Sequence, residues 1–169
     1  MAEVKKIVAI DPGTIKSGAC VLWRSKGGDI LLQDHVFVKS RAKDHWLTRS
    51  EYIVEELVMF CIMKTPEIVV IEMPYVYGGG KGAAARNSNA IQKLGHMAGM
   101  IHGCLLQAGL CVQMITPQEW KGNLPKEATQ KRVKKTFNVE LEEDVMDAIG
   151  LGHFYLTDFS PSTSGIQTE

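Results

Sequence analysis

The feature that most constrains the fold of this chain is a short apolar segment that ends on a carboxylate. Residues 68–71 read IVVI, Glu72 follows directly, and Pro74 comes two residues later. A continuous run rich in β-branched residues indicates a strand buried on both faces of a sheet. Pro74 cannot donate to the next ladder hydrogen bond, so the strand ends there. Glu72 is therefore predicted at the carboxyl end of a central strand, facing the crevice where α/β sheets bind ligands.

Two further segments place acids where they could meet Glu72. Residues 7–10 read IVAI, and Asp11 follows them immediately before a Pro-Gly turn. Asp144 and Asp147 lie three residues apart near the start of a predicted helix, so they share one helix face. Four carboxylates gathered from two strand ends and one helix repel each other unless cations neutralise them. The pattern therefore favours a cation-binding site.

Each of these acids also has a simpler interpretation. Asp11 could serve only as a turn former, and Glu72 could form a salt bridge with a nearby lysine or arginine. Asp144 and Asp147 could cap a helix and favour its dipole. The combination of four acids on these elements is more specific than any one of them.

The overall composition limits the protein class. The chain has 169 residues, is 45% hydrophobic and carries no formal net charge, as expected for one globular domain. It lacks an apolar run of the ~20 residues that span a membrane and an export signal. The four cysteines show no CxxC spacing and lie in apolar stretches, so we expect reduced core thiols. These features predict a cytoplasmic protein.

The order of predicted elements indicates the fold class. Apolar patterns and turn signals give β-β-β-α-β-α-β-α, an α/β ribonuclease H-like fold with a mixed five-stranded sheet. Three antiparallel strands come first, parallel strands follow, and helices cover both faces. The predicted strands are 4–11, 16–24, 30–38, 67–72 and 111–115, and the predicted helices are 44–64, 89–108 and 142–155. Residues 1–157 are predicted to form one ribonuclease H-like domain, and residues 158–169 a disordered tail.

The acids predict the type of cation and reaction. Oxygen ligands without histidine or cysteine partners suit Mg²⁺ or Mn²⁺. Two such ions about 4 Å apart can activate water and stabilise the leaving oxygen in phosphodiester hydrolysis. We therefore expect Asp11, Glu72, Asp144 and Asp147 to be both metal ligands and catalytic residues, with two ions per site.

Two segments suggest contacts with a nucleic acid. Residues 120–136 contain six basic side chains and one acidic one, although the whole chain is neutral, and such clustering suits a phosphate backbone. A solvated helix face would explain it equally simply. The glycine-rich segment 75–88 follows Glu72 and contains Tyr75 and Tyr77, which could stack on unpaired bases or pack on the sheet.

These motifs together resemble the RuvC family of Holliday-junction resolvases, in a phage-type or divergent bacterial form. The resemblance rests on the Ile10-Asp11-Pro12-Gly13 turn, the Glu72 strand end and Asp144-x-x-Asp147-Ala148, and it extends from about residue 5 to 156. It implies a homodimer that cuts two opposed strands of four-way junction DNA with Mg²⁺ or Mn²⁺, leaving 5′-phosphate and 3′-hydroxyl ends, in DNA recombination and repair. We expect the dimer contact near the helix at 89–108, and no nucleotide cofactor. The expected DNA contacts are Tyr75, Tyr77, Lys81, Arg86, Trp120, Lys121, Lys126 and Lys131.

Three alternatives remain open at the level of sequence. The Asp11-Pro12-Gly13-Thr14 turn also resembles the phosphate loop of actin- and sugar-kinase-like ATPases, although those enzymes need two such domains. Another ribonuclease H relative could cut RNA–DNA hybrids or branched DNA, or process RNA as YqgF-like enzymes do. A non-enzymatic junction binder would not need all four carboxylates.

Overall fold

The computed structural model describes residues 5–74 and 89–157. The predicted glycine-rich loop at 75–88 and the predicted tail at 158–169 lie outside the described residues. Four predicted DNA contacts, Tyr75, Tyr77, Lys81 and Arg86, fall in that loop. Their predicted roles therefore stay predictions.

Five strands and five helices make up the described chain. The strands are β1 (Lys5–Asp11), β2 (Lys16–Arg24), β3 (Ile30–Lys39), β4 (Ile68–Glu72) and β5 (Val112–Ile115). The helices are α1 (Trp46–Lys64), α2 (Ala90–Gln107), α3 (Pro117–Trp120), α4 (Lys126–Phe137) and α5 (Glu143–Thr157). The predicted bounds of the strands and long helices agree with these within one or two residues.

The strands form one mixed sheet in the order β3-β2-β1-β4-β5. β1 pairs antiparallel with β2, and β2 with β3, while β1 and β4 are parallel, as are β4 and β5. In the register of the two central strands, Ile10 lies beside Ile71. Because those strands end one residue later, Asp11 and Glu72 leave the sheet at the same edge. The predicted ribonuclease H-like fold is confirmed.

Alternate residues of the central strands pack against different helices. Val8 and Ile10 belong to a core with α1 and α2, whereas Ile7 and Ala9 belong to a core with α5. All four side chains are fully buried. Apolar residues on both sides of a strand are what a sheet covered by helices on both faces requires. The two cores bury the central strands up to Ile10 and Ile71, the residues directly before the two acids.

Helices α3 and α4 were not predicted from the sequence, which was read there as a basic stretch. Only Thr129 and Val133 of α4 are buried, so its apolar pattern is too sparse to indicate a helix. Helix α3 is a single turn held by a capping box, in which Thr116 accepts from the Glu119 amide and Glu119 accepts from the Thr116 amide. Asn138 then ends α4 in the left-handed conformation.

The cysteines are all free thiols, but Cys111 does not lie in the core as the sequence predicted. Cys20 and Cys61 are buried, and burial raises the pKa of the Cys61 thiol to about 12. Cys104 is half-buried, and Cys111 is exposed rather than in the core, because it precedes the edge strand β5. Among residues 5–74 and 89–157, no helix has the length and apolar character needed to cross a bilayer.

Candidate active site

The site begins with two carboxylates at one edge of the sheet. Asp11 is the last residue of β1, Glu72 is the last residue of β4, and these strands are parallel neighbours. The buried apolar residues before each acid fix the two strand ends in the core. The two side chains therefore emerge where α/β sheets present their ligand-binding crevice.

Helix α5 brings the second pair of acids to this edge. The helix packs on β1 and β2 so closely that a β-carbon added to Gly152 would lie 2.9 Å from Cβ of Ala9. Asp144 and Asp147 lie in its first two turns, three residues apart on one face. Asp147 is buried, with 3% of its surface exposed. A carboxylate this deep needs a compensating charge or a proton.

The raised pKa of Asp11 reflects its burial and the closeness of the other three acids. Burial raises the pKa of Asp11 well above its ordinary value, and the negative charges of Glu72, Asp147 and Asp144 raise that pKa further. Lys121 acts in the opposite direction and lowers it. The pKa of Asp147 is also raised, chiefly by burial, although Lys126 opposes the shift. The structure thus brings all four predicted carboxylates into one electrostatic cluster.

Three lysines neutralise three of these acids. Lys16 Nζ lies 3.3 Å from Asp144 Oδ2, Lys121 Nζ lies 3.2 Å from Glu72 Oε2, and Lys126 Nζ lies 3.0 Å from Asp147 Oδ2. Within the described part of the chain, Asp11 makes no ion pair. In this lysine-paired state the cluster is balanced at every acid except the one at the end of β1.

Lys126 joins a fifth acid to the site. It forms a salt bridge with Glu143 as well as with Asp147. Burial lowers the pKa of Lys126, but the two carboxylates outweigh this effect and hold the pKa above its ordinary value. Lys126 also lowers the pKa of Glu143. Sequence reasoning missed Glu143, because an acid in the first turn of a helix is common for dipole reasons alone.

Glu72 has a second donor besides lysine. The indole Nε1 of Trp120 donates a 2.6 Å hydrogen bond to Glu72 Oε2, the oxygen that Lys121 also contacts. The Lys121 ammonium lies 4.6 Å from the centre of the Trp120 ring, a cation–π distance. Trp120 is 8% exposed and belongs to the core. Its predicted DNA contact stays a prediction, but the structure gives the ring a buried position beside Glu72.

The donor set fits a hard divalent cation. Among residues 5–74 and 89–157, no three His, Cys, Asp or Glu side chains are arranged to hold an ion directly. Lysines lie against three of the four acids instead. However, Asp147 Oδ1 and Asp144 Oδ2 are buried without a hydrogen-bond partner, because the 3.3 Å ion pair of Asp144 lacks hydrogen-bond geometry. Buried carboxylate oxygens without donors are the ligands that Mg²⁺ and Mn²⁺ take.

The three lysines that are predicted to contact DNA and lie in the described chain fall into two groups. Lys121 and Lys126 pair with site acids, whereas Lys131 is exposed on α4. Helix α4 packs on α5, the helix that carries Asp144 and Asp147. The basic surface predicted from residues 120–136 thus lies next to the acidic cluster.

Comparison with known proteins identifies the fold. No protein-family model matches the chain, and no curated protein matches its sequence. Among solved structures, Thermus thermophilus RuvC in complex with a Holliday junction substrate has a TM-score of 0.69 at 21% identity, over 90% of this chain and 94% of that one. The yeast mitochondrial Holliday junction resolvase Ydc2 has a TM-score of 0.62 at 10% identity, over 90% of this chain and 79% of that one. The chain therefore has the fold of these proteins.

Proposed function

We propose that this protein is a structure-selective endodeoxyribonuclease that resolves four-way DNA junctions by metal-dependent phosphodiester hydrolysis. The observation that carries the proposal is the cluster of Asp11, Glu72, Asp144 and Asp147 at one sheet edge, in which three acids raise the pKa of the fourth. The shared fold with a RuvC bound to its junction substrate supports the choice of DNA. The products would carry 5′-phosphate and 3′-hydroxyl ends.

The four carboxylates would hold two Mg²⁺ or Mn²⁺ ions. Such ions supply the positive charge that activates water and stabilises the leaving oxygen. The buried Asp147 Oδ1, which has no hydrogen-bond partner in the described chain, supports this assignment, as does the buried Asp144 Oδ2, which faces Lys16 at 3.3 Å without a hydrogen bond. Since Lys16, Lys121 and Lys126 neutralise the same acids, we propose that these lysines give up their carboxylates when cations are bound. Their ammonium groups could then contact phosphate oxygens of the DNA.

The DNA surface is proposed to extend from the acidic cluster along α4. Lys121 and Lys126 lie at the cluster, and Lys131 is exposed farther along the helix. Tyr75, Tyr77, Lys81 and Arg86 would add contacts from the segment after Glu72, and Tyr75 would stack on a base near the crossover.

Two copies of the chain are proposed to pair through α2. A β-carbon added at Gly95, Gly99 or Gly103 would meet no atom within 4 Å, so this glycine face packs on nothing else in the described chain. Met59 and Met63 of the neighbouring helix α1 are also exposed apolar side chains. A homodimer would supply two active sites, one for each of two opposed strands.

The test is cleavage of a labelled four-way junction with Mg²⁺ or Mn²⁺, beside matched duplex, flap and RNA–DNA hybrid substrates. We expect paired nicks in the junction, and loss of cleavage with retained binding for Glu72→Gln, which removes one charge and keeps the shape. Preferred cleavage of the hybrid would indicate another ribonuclease H-like activity. Binding without cleavage by the wild type would indicate a junction-binding protein, and ATP hydrolysis without DNA an actin-like ATPase.

A further inference from the structure

We infer that Trp120 is a positioning residue for Glu72, and that Gly150 of α5 provides the space in which its indole ring is held. The inference rests on the proposed function, because it assigns Glu72 to a metal centre. It adds a group that acts through the orientation of one proposed ligand. Its basis is the 2.6 Å hydrogen bond from Trp120 Nε1 to Glu72 Oε2.

The two donors on Glu72 differ in how firmly they are held. Both contact Oε2, and neither contacts Oε1. The Lys121 ammonium ends a flexible stem and can follow another anion. The Trp120 N–H sits on a rigid ring that is 8% exposed and packed in the core, so it moves less readily than the lysine. The indole therefore keeps Oε2 engaged and fixes the carboxylate plane even when Lys121 has moved.

The ring is fixed from both ends. Its backbone lies in α3, which the capping box of Thr116 and Glu119 holds in place. Its six-membered ring lies over Gly150, where an added β-carbon would be 2.9 Å from Cζ3 and 3.3 Å from Cη2. Gly150 follows Asp147 by three residues on the same helix. The indole thus links the position of the β4 acid to the helix that carries the α5 acids.

A cavity beside the indole ring gives it space to shift when a larger side chain replaces Gly150. Trp120 and Gly150 both line a cavity of about 210 Å³, together with Leu124, Val133 and Phe154. A β-carbon at residue 150 would press on the ring and, at 3.1 Å, on Cγ2 of Thr129 in α4, and the cavity gives the ring space to yield. Moving the ring moves its N–H away from Glu72, although every ligand and lysine of the site remains chemically unchanged.

The first test is the affinity for Mn²⁺ without DNA, measured from the electron paramagnetic resonance signal of the free ion. Hydrogen bonds that orient a ligand typically change metal affinity 10–100-fold. Trp120→Phe keeps a ring in the core and removes the N–H, and we expect Mn²⁺ affinity to fall at least about tenfold. Trp23→Phe is the matched control, because Trp23 lies on β2 and is 37% exposed, and it should bind Mn²⁺ like the wild type.

The second variant separates positioning from folding. Gly150→Ala should lower Mn²⁺ affinity in the same direction, whereas Gly27→Ala, whose β-carbon would meet no atom closer than 3.6 Å, should not. A merely structural role would lower the thermal midpoint of both site variants and leave Mn²⁺ affinity unchanged at temperatures where they are folded. That result would overturn the inference.

The two proposals fail in different ways. A wild-type protein that does not bind Mn²⁺ would refute the metal centre and the positioning role together. A wild type that binds Mn²⁺, with Trp120→Phe and Gly150→Ala at the same affinity, would refute only the positioning role. Weaker Mn²⁺ binding by both variants, in a protein that fails to cut junctions, would support the positioning role and refute the proposed substrate.

Discussion

Gly18 of β2 faces the backbone of Asp144 so closely that a β-carbon added to Gly18 would lie 2.2 Å from the Asp144 carbonyl carbon. Gly18 is also the residue paired with Asp11 across the β1–β2 ladder. One glycine therefore contacts the start of α5 and the end of β1 at the same level of the sheet. It sets how near the acids of α5 come to the acid of β1.

Gly18→Ala should separate α5 from the sheet and abolish cleavage. The atoms in the way belong to backbone, which cannot rotate aside as a side chain can. We expect the free energy of unfolding to fall by about 1–3 kcal/mol, the usual cost of overpacking, as measured by urea denaturation. Gly27→Ala is the control, because its β-carbon would meet only side-chain atoms at 3.6 Å or more. Junction cleavage by Gly18→Ala at the wild-type rate would contradict this prediction.

Asp11→Asn should stabilise the protein in a chelating buffer and abolish the stabilisation that Mg²⁺ gives to the wild type. The pKa of Asp11 is raised by burial and by three neighbouring acids, so its ionised form destabilises the folded state. The gain should be full above the raised pKa and should vanish as the pH falls below the ordinary Asp range. Thermal unfolding with chelator or Mg²⁺ measures both effects. An equal response of wild type and variant to Mg²⁺ would argue against Asp11 as a ligand.

Lys126→Ala should destabilise the protein more without metal than with it. Removing the ammonium leaves buried Asp147 without its ion-pair partner. The expected loss is about 1 kcal/mol, since Lys126 is partly exposed and water screens its charge. Mg²⁺ should reduce this loss by supplying the missing charge. Lys131 is an exposed residue of α4, and Lys131→Ala should leave stability unchanged and lower the salt dependence of junction binding. Equal losses of stability in the two variants would contradict the proposed pairing of Lys126 with Asp147.

Gly99→Arg should convert a dimer into a monomer. Gly99 lies on the glycine face of α2, where an added β-carbon would meet no atom of the described chain within 4 Å. The folded monomer should therefore keep its thermal midpoint at low concentration, while sedimentation reports half the wild-type mass. Lys93→Arg, on the same helix, keeps charge and length and should leave the mass unchanged. A wild-type protein that is monomeric at all concentrations would refute the proposed dimer.

The sequence predicted the strands well because their patterns are local. Residues 7–10 and 68–71 are continuous apolar runs, and each ends on an acid, so strand ends and site acids came from the same signal. Helix α4 lacked such a signal, since its lysines leave few apolar positions. The hydrogen bond between Trp120 and Glu72 joins residues 48 apart, and nothing near Trp120 marks it as a partner of an acid. Lys121 and Lys126, which were predicted to contact DNA, lie against site acids in the structure. Composition alone cannot tell a lysine that pairs with an acid from one that faces a phosphate.

Helix α5 has a consequence for synthesis of the protein on the ribosome. The same helix covers one face of the central sheet and carries Asp144 and Asp147. A growing chain that has emerged only as far as β5 would expose that apolar face and possess only Asp11 and Glu72 of the four acids. It would expose this apolar surface to water and lack two of the four acids that are proposed to hold the metal ions. Docking of α5 would then complete the proposed metal site and bury this apolar face in a single step, and a shorter growing chain would lack the proposed nuclease centre.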